Sequence, residues 1–289
     1  MRKTKIFTVV ITYLLLVMLL GCTGSESTSV IRTIVGEQLV TQIDPSCQVR
    51  LVRTSPDAKH IAYVATKGKQ FMVVDRIDGK QYDFIDTFVF SPDGTHVAYS
   101  AREGNKSFIV LDGIEGKPYE PKWLGSPVFS PDSNHLAYLA ADEKDIFVVV
   151  DGVEKEKLGS SVSDLMFGPD SKRLTYIGSK SGMWAQPVGA WVVVDGRKGE
   201  AYRHVWDVTF SPDSKYVAYL AGDGKKEFVV VDRTKWKEYD SFLYGSTYVT
   251  SRVPEKRLAF DSPDSFYYLA RKGNSIYLVE ETLKQDQKE

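Results

Sequence analysis

The sequence is poor in the residues that disulfide frameworks and reactive sites use. It has two cysteines and four histidines in 289 residues, so a disulfide-dense scaffold is excluded. An excess of one charge sign is also missing, because 37 Lys and Arg residues balance 38 Asp and Glu residues. Such a balance gives no basic footprint for nucleic acid. We therefore expect no nucleic-acid partner.

The usual catalytic signatures are missing as well. The sequence has no phosphate-cradling glycine loop, no paired-cysteine metal motif and no H-E-x-x-H. Residues 178–182 read GSKSG, with lysine where the nucleophilic serine of a G-x-S-x-G elbow would stand. We expect no cofactor, no metal and no catalytic residue, which favours a non-enzymatic role without settling the question.

One long uncharged run is present, at the start of the chain. Residues 1–5 carry three positive charges, and residues 6–20 carry none. A membrane-spanning helix needs roughly 20 apolar residues, so this shorter run predicts an export signal over residues 1–21. Leu19-Leu20-Gly21-Cys22 resembles the bacterial lipobox, which implies a lipid on Cys22 and attachment to a membrane. A signal anchor with an incidental cysteine is the alternative.

The residues after Cys22 predict where the chain is held. Residues 22–29 are small and polar, as a flexible tether should be. Thr23 stands where an Asp, by resemblance to enterobacterial lipoproteins, would favour the inner membrane. We therefore expect the outer membrane, facing the periplasm, if the host has two membranes. Cys47 is left without a partner, and we expect a buried, inert thiol.

The body of the sequence is a repeat. An S-P-D or G-P-D tripeptide recurs at intervals of 36, 39, 38, 43 and 51 residues. A second apolar run, such as FIVLD at 108–112, follows about ten residues later, and a short third piece, such as GKPYE at 116–120, comes after it. The tripeptides begin at Ser55, Ser91, Ser130, Gly168, Ser211 and Ser262.

This repeat predicts propeller blades. Each unit holds about four short runs rich in Val, Phe and Tyr, separated by turn residues. Units of about 40 residues with four strands each are typical of β-propellers. We predict an all-β fold, a six-bladed propeller over residues 30–281, followed by a polar tail over 282–289.

The repeats resemble a known family. VFSPDGTHVAY at 89–99 and TFSPDSKYVAY at 209–219 look like the WD-repeat-like repeats of bacterial envelope propellers of the TolB type. The resemblance covers roughly residues 45–281. It implies a location in the cell envelope and a binding role. TolB-like proteins carry an α/β domain before the propeller, for which this chain has no room.

The sixth repeat departs from the pattern. It has one extra residue before its S-P-D, and a rival alignment places its turn at Pro254-Glu255. We prefer Ser262, because IYLVEE at 276–281 then matches FVVVDG. No fourth strand follows Glu281, whereas Gly36-Glu37-Gln38-Leu39 resembles the fourth-strand signature. We therefore predict that residues 30–43 supply the outer strand of the last blade, which limits exposed strand edge.

The recurring polar residues fit a scaffold. His60, His96 and His135 each stand five residues after the first residue of their tripeptide, which favours a structural role over catalysis. Metal binding is the alternative, by analogy with propeller polysaccharide lyases. The repeat aspartates follow proline in a turn, which favours capping of backbone groups. These aspartates are Asp57, Asp93, Asp132, Asp170, Asp213 and Asp264.

Irregular connections carry the candidate binding face. In a propeller, the turns bearing S-P-D and D-G lie on one face, and the remaining connections lie on the other. Connections on that second face are enlarged at residues 178–189 and 241–254. Aromatic residues on irregular loops are typical of binding sites, although they also pack long loops onto a scaffold. The candidates are Trp184, Gln186, His204, Trp206, Tyr244 and Tyr248.

These observations favour a lipid-anchored, monomeric propeller that binds an envelope protein or a peptide. The alternative is a carbohydrate-active propeller that binds or cleaves envelope or extracellular polysaccharide. A metal bound to the purified protein would favour the alternative, whereas a co-purifying protein would favour the scaffold.

Overall fold

The computed structural model describes residues 42–120, 124–141, 146–157, 161–180, 189–243 and 258–283. The regular structure in these ranges is β-strand. Within the same ranges, no helix has the length and apolar character that crossing a bilayer requires. The described strands belong to one compact unit, Val40–Glu289.

Six antiparallel sheets follow one another along the chain, and we number them as blades 1 to 6. Blade 1 holds β1 (Gln48–Thr54), β2 (Ile61–Lys67), β3 (Lys69–Val74) and β4 (Ile77–Tyr82). Blade 2 holds β5 (Phe84–Phe90), β6 (Val97–Glu103), β7 (Lys106–Leu111) and β8 (Ile114–Glu115). Blade 3 holds β9 (Val128–Phe129), β10 (Leu136–Ala141), β11 (Ile146–Val150) and β12 (Val153–Lys157).

The second half repeats the arrangement. Blade 4 holds β13 (Ser161–Phe167), β14 (Leu174–Ser179), β15 (Ala190–Val194) and β16 (Arg197–Lys198). Blade 5 holds β17 (His204–Phe210), β18 (Val217–Gly222), β19 (Glu227–Val231) and β20 (Thr234–Tyr239). Blade 6 holds β21 (Ser241–Phe242), β22 (Leu258–Phe260), β23 (Ser265–Lys272) and β24 (Ser275–Thr282). Six such sheets in series make a six-bladed β-propeller, as the repeat predicts.

Two kinds of turn join the strands of blades 1 to 5. The S-P-D or G-P-D tripeptide lies between the first and second strands, and the D-G or D-R pair lies between the third and fourth. Asp112 and Gly113 have φ values of 49° and 81°, the left-handed conformation that tight hairpins of this kind require. Arg76 takes the glycine position in blade 1 with φ of 72°, where a side chain is strained. We call the side that carries these turns the turn face.

The core lies between the blades. Second and third strands are buried on both faces in blade 2, and their alternate residues enter two different clusters. Val97, Tyr99 and Val110 pack against Met72 and Tyr82 of blade 1. Ala98 and Ile109 pack against Tyr138 and Phe147 of blade 3. Comparable clusters join blades 3 and 4, 4 and 5, and 5 and 6. Each blade is therefore stabilised by its neighbours along the chain.

Hydrogen bonds between the turns reinforce this packing. The backbone N–H of Asp93 donates to Oγ of Ser133 in the next blade at 3.0 Å. The same bond links Asp132 to Ser171 and Asp170 to Ser214, each at 2.9 Å. These bonds fix the turns of blades 2, 3 and 4 against their successors.

Blade 6 differs from the others in its first strand. β23 pairs with β24 along one edge, so β21 and β22, which also pair with β23, share its other edge. They occupy the place of the first strand, and residues 244–257, which separate them in the sequence, lie outside the described residues. The turn to β23 contains Ser262, whose Oγ donates to Asp264 Oδ1 at 2.9 Å. This placement agrees with the alignment on Ser262 and with β24 as the third strand.

The predicted closure of the ring requires a strand along the outer edge of blade 6. Among the described residues, no strand pairs with the free edge of β24. The segment predicted to do so lies outside the described residues, except for its last two residues, which form no strand. Closure by residues 30–43 remains a prediction.

The predicted polar tail begins too early. β24 extends to Thr282, and Leu283 is buried in the cluster between blades 5 and 6. Its N–H donates to the carbonyl oxygen of Asp264 at 2.6 Å. An apolar side chain held in this way belongs to the propeller, so the boundary at 282 was wrong.

Cys47 is half-buried rather than buried. It packs at the margin of a cluster formed by Tyr63, Ala65, Phe71 and Val73 of blade 1. Cys47 precedes β1, and its position at the edge of the sheet explains the partial exposure. The prediction of a fully buried thiol was therefore wrong in degree.

Candidate functional site

The repeat tripeptides build the turn face from local hydrogen bonds. In blade 2 the Ser91 hydroxyl donates to Asp93 Oδ1 at 2.5 Å, and the same oxygen accepts the Thr95 N–H at 3.0 Å. Ser91 Oγ in turn accepts the N–H of His96 at 2.9 Å. The serine hydroxyl and the Thr95 N–H lower the pKa of Asp93 to about 2. This is the capping role that the sequence predicts for the repeat aspartates.

Each of the three repeat histidines pairs with the aspartate that directly follows the third strand. Nδ1 lies 2.5 Å from Asp75 Oδ2 for His60, and 2.6 Å from Asp112 Oδ2 for His96. His135 repeats the contact with Asp151 at 2.8 Å. All six side chains are partly exposed. The other carboxylate oxygen accepts the first N–H of the second strand, which ties two turns of one blade together.

Two of the three histidine rings also contact the following blade. His96 stacks on Phe129 with centroids 6.4 Å apart, and His135 stacks on Phe167 at the same distance. This packing agrees with the scaffold role. Among the described residues, no group of three or more His, Cys, Asp or Glu side chains is placed to hold a metal ion.

Clefts lie between neighbouring blades on the turn face. The cleft between blades 1 and 2 has a volume of about 400 Å³, and the cleft between blades 2 and 3 has about 580 Å³. Tyr99 lines the first, and Tyr138 at the same repeat position lines the second. Asp112 lines both, so it stands on the ridge between them. The repeat therefore produces equivalent clefts side by side.

Exposed aliphatic residues stand at the rims of these clefts. Ile77 is 74% exposed and Ile114 is 76% exposed, each as the first residue of a fourth strand. Val153 occupies the same position in blade 3. Sequence reasoning missed these residues. The available signal was an apolar residue directly after the D-G or D-R turn, at the start of a strand that is otherwise polar.

The charges along the turn face change sign. The carboxylates of the two clefts described above are paired with histidine, except for Glu115, whose pKa is lowered by Lys80. In the next two clefts the lining residues include more bases than acids. The cleft between blades 3 and 4 is lined by Lys155, Lys172, Arg173 and Asp195, and that between blades 4 and 5 by Arg173, Arg197, Arg233, Asp195 and Asp232.

Arg173 takes the histidine position in blade 4. Its Nε donates to Asp195 Oδ2 at 3.0 Å, and its guanidinium lies over Phe210 of blade 5 at 5.4 Å from the ring centroid. The pattern of a cation or imidazole over the next blade's aromatic ring is therefore kept, while a permanently charged guanidinium replaces the imidazole.

The predicted aromatic face is described only in part. Trp184, Gln186, Tyr244 and Tyr248 lie outside the described residues. His204 and Trp206 lie on β17 and not in a loop, because residues 204–210 pair with β18 as the first strand of blade 5. Their rings meet edge to face at 6.5 Å.

Trp206 is half-buried and packs against the cluster between blades 5 and 6. For this residue the observed contacts favour packing over binding. Cys22, the predicted lipid site, also lies outside the described residues.

The strand pairing thus defines a six-bladed β-propeller. The charge of the clefts on its turn face changes from acidic between blades 1 and 3 to more basic between blades 3 and 5. No protein-family model and no curated protein matches the sequence. Solved structures do resemble it. A putative TolB from Agrobacterium tumefaciens is 20% identical, with 67% of this chain and 82% of that chain covered and a TM-score of 0.37.

Two further structures have similar values. TolB from Acinetobacter baumannii is 16% identical over 80% of this chain and 60% of its own, with a TM-score of 0.37. The β-propeller domain of the Trilobed protease from Pyrococcus furiosus is 14% identical over 83% and 82%, with a TM-score of 0.40. The fold assignment rests on the strand pairing of this chain.

Proposed function

We propose that this protein is a lipid-anchored propeller of the bacterial cell envelope that binds another envelope protein or a peptide segment as a non-enzymatic scaffold. The observation that carries the proposal is the row of clefts on the turn face, rimmed by exposed aliphatic side chains. Exposed apolar residues grouped around concave surfaces are typical of interaction sites. The resemblance of the repeats to TolB-like propellers supports the same role.

The anchoring part of the proposal rests on the first 22 residues. A lipid on Cys22 would hold the propeller at a membrane surface through the tether at 22–29, and we propose the periplasmic face of the outer membrane. Cys22→Ser should abolish incorporation of a labelled fatty acid and leave the signal unprocessed. The matched control is Cys47→Ser, which should incorporate label normally. Label retained by Cys22→Ser would exclude this anchor.

The binding part is tested by capture from membranes. The full-length protein, with lipidation intact, is cross-linked in cells and purified, and associated proteins are identified. We expect a reproducible envelope partner whose recovery depends on the folded propeller. A double variant, Phe266→Ala with Tyr268→Ala, that unfolds serves as the negative control, because both side chains are buried in one blade–blade cluster. Equal recovery by the folded and unfolded chains would contradict specific binding.

A further inference from the structure

Two neighbouring clefts on the turn face share one design. Each has an apolar floor from the third strand of one blade and a tyrosine from the next, and each has an isoleucine at its rim. Met72, Val74 and Tyr99 line the first cleft with Ile77. In the second cleft the residues at these positions are Ile109, Leu111, Tyr138 and Ile114. The paired clefts therefore offer two equivalent apolar subsites.

Apart from histidine, the charged residues that line these two subsites are carboxylates. Asp75, Asp112 and Asp151 each face a histidine. Glu115 of the second cleft is instead paired with Lys80, which is not among the lining residues. No lysine or arginine is among the residues that line either cleft in the described part of the chain. Asp112 borders both clefts, so a carboxylate stands between two apolar subsites.

We propose that these two clefts bind an extended peptide segment of a partner protein in which aliphatic side chains flank basic ones. The aliphatic side chains enter the two subsites beside Ile77 and Ile114, and a basic side chain between them meets Asp112. This rests on the proposed scaffold function and names the surface and the chemistry of its partner. The acidic character selects a cationic segment over an acidic one.

The spacing of the subsites sets the peptide pattern. Sheets packed face to face lie about 10 Å apart. An extended chain in the polyproline II conformation has three residues per turn and rises about 3.1 Å per residue, so side chains three positions apart lie on one face, about 9 Å from each other. Aliphatic residues at this spacing can therefore reach successive clefts. The probe is a fluorescein-labelled peptide, IKKIKKI, and its comparisons are IEEIEEI and SKKSKKS, which change the charge or the apolar groups alone.

The chain itself provides matched variants. Asp112→Asn keeps the hydrogen-bond acceptor for the Val97 N–H and removes the charge. Asp195→Asn is the control, because Asp195 accepts the Leu174 N–H in the same way but lies among the basic clefts. Ile114→Ser removes one rim residue, and Thr234→Ser at the same position in blade 5 is its control.

Fluorescence anisotropy on the full-length protein should show IKKIKKI binding at least tenfold more tightly than either comparison peptide. Asp112→Asn and Ile114→Ser should each weaken binding by about tenfold, with melting temperatures near that of the parent. The two controls should bind as the parent does. No binding of IKKIKKI, equal binding of IEEIEEI, or equal losses in Asp112→Asn and Asp195→Asn would overturn the proposal.

The outcome separates this proposal from the scaffold function. If Asp112→Asn still captures the envelope partner from membranes and no peptide binds, the scaffold function stands and this surface is wrong. If the parent captures no partner while IKKIKKI binds as expected, the cleft chemistry stands and the scaffold function fails.

Discussion

Blades 2 and 6 carry related sequences but bury different shares of their apolar side chains. In blade 2 the second strand is buried on both faces, between blades 1 and 3. In blade 6, Tyr268 is 1% exposed on the face towards blade 5, whereas its neighbour Tyr267 is 42% exposed on the opposite face. Leu269, Ile276 and Leu278 are exposed on that face too. A repeat motif therefore specifies the turns of a blade, while burial depends on what the blade meets.

The sharpest test of this difference uses the two adjacent tyrosines. Tyr268→Ala should destabilise the protein by about 3–5 kcal/mol, the usual cost of emptying a buried aromatic site. Tyr267→Ala should cost less than about 1 kcal/mol, because much of its ring already meets solvent. Urea unfolding followed by circular dichroism measures both. Equal losses would show that the outward face of blade 6 is covered, and would remove the contrast.

The second test addresses the free edge of β24. If residues 30–43 complete blade 6, deleting them should expose unpaired backbone groups and lower the free energy of unfolding by about 2–3 kcal/mol, or roughly 4–12 °C in melting temperature. Deleting residues 284–289 is the control and should change little, since it spares Leu283. A melting temperature unchanged by the first deletion would exclude the closure.

A third test asks whether Trp206 packs or binds. Its contacts with the cluster between blades 5 and 6 predict that Trp206→Ala costs about 2 kcal/mol, less than a fully buried tryptophan would. Capture of the envelope partner by the folded variant should be unchanged. His204→Ala, which loses only the ring contact, is the comparison. Normal melting with lost capture would restore Trp206 to the candidate binding face.

The smallest expected effect concerns acid. The folded-state pKa of Asp93 is about 2, below its ordinary value of 3.8. A lowered carboxyl pKa contributes stability above the unfolded-state pKa, and this contribution is lost as the pH falls through the folded-state pKa. The stability advantage of the parent over Asp93→Asn should therefore shrink between about pH 4 and pH 2. A pH-independent difference in urea midpoints would contradict the capping role.

Much of the fold could be predicted because it is local. The tripeptide turns, the paired valine-rich strands and the place of Ser262 all follow from residues within one repeat. The pairing of both β21 and β22 with β23 and the burial of Leu283 could not be foreseen, since they depend on contacts with β23 or blade 5. Cys47 shows the same limit, because its exposure depends on its place at the edge of blade 1.

The candidate site was less predictable than the fold. The predicted binding face was chosen for its large aromatic residues in long connections. Trp206, one of these residues, is instead part of a first strand and packs on a core. Ile77 and Ile114 are single apolar residues in otherwise polar strands, so the sequence gives them little weight. They become candidate binding residues only through the cleft that each blade forms with the next. A surface assembled from two repeats is hard to recognise when each repeat is read alone.

The bond from the Asp93 N–H to the Ser133 hydroxyl bears on how a repeat protein can lengthen by duplication of a blade. Each such repeat carries a donor on one side and the matching acceptor on the other. A tandem duplication of one unit therefore creates a new junction whose two halves already fit, before any further substitution. Gly94 lacks this hydroxyl at the junction with blade 1, and a Cβ there would lie 3.0 Å from Asp57 Oδ1. The first junction therefore lacks the bond that a duplicated copy of blade 3 or blade 4 would bring with it.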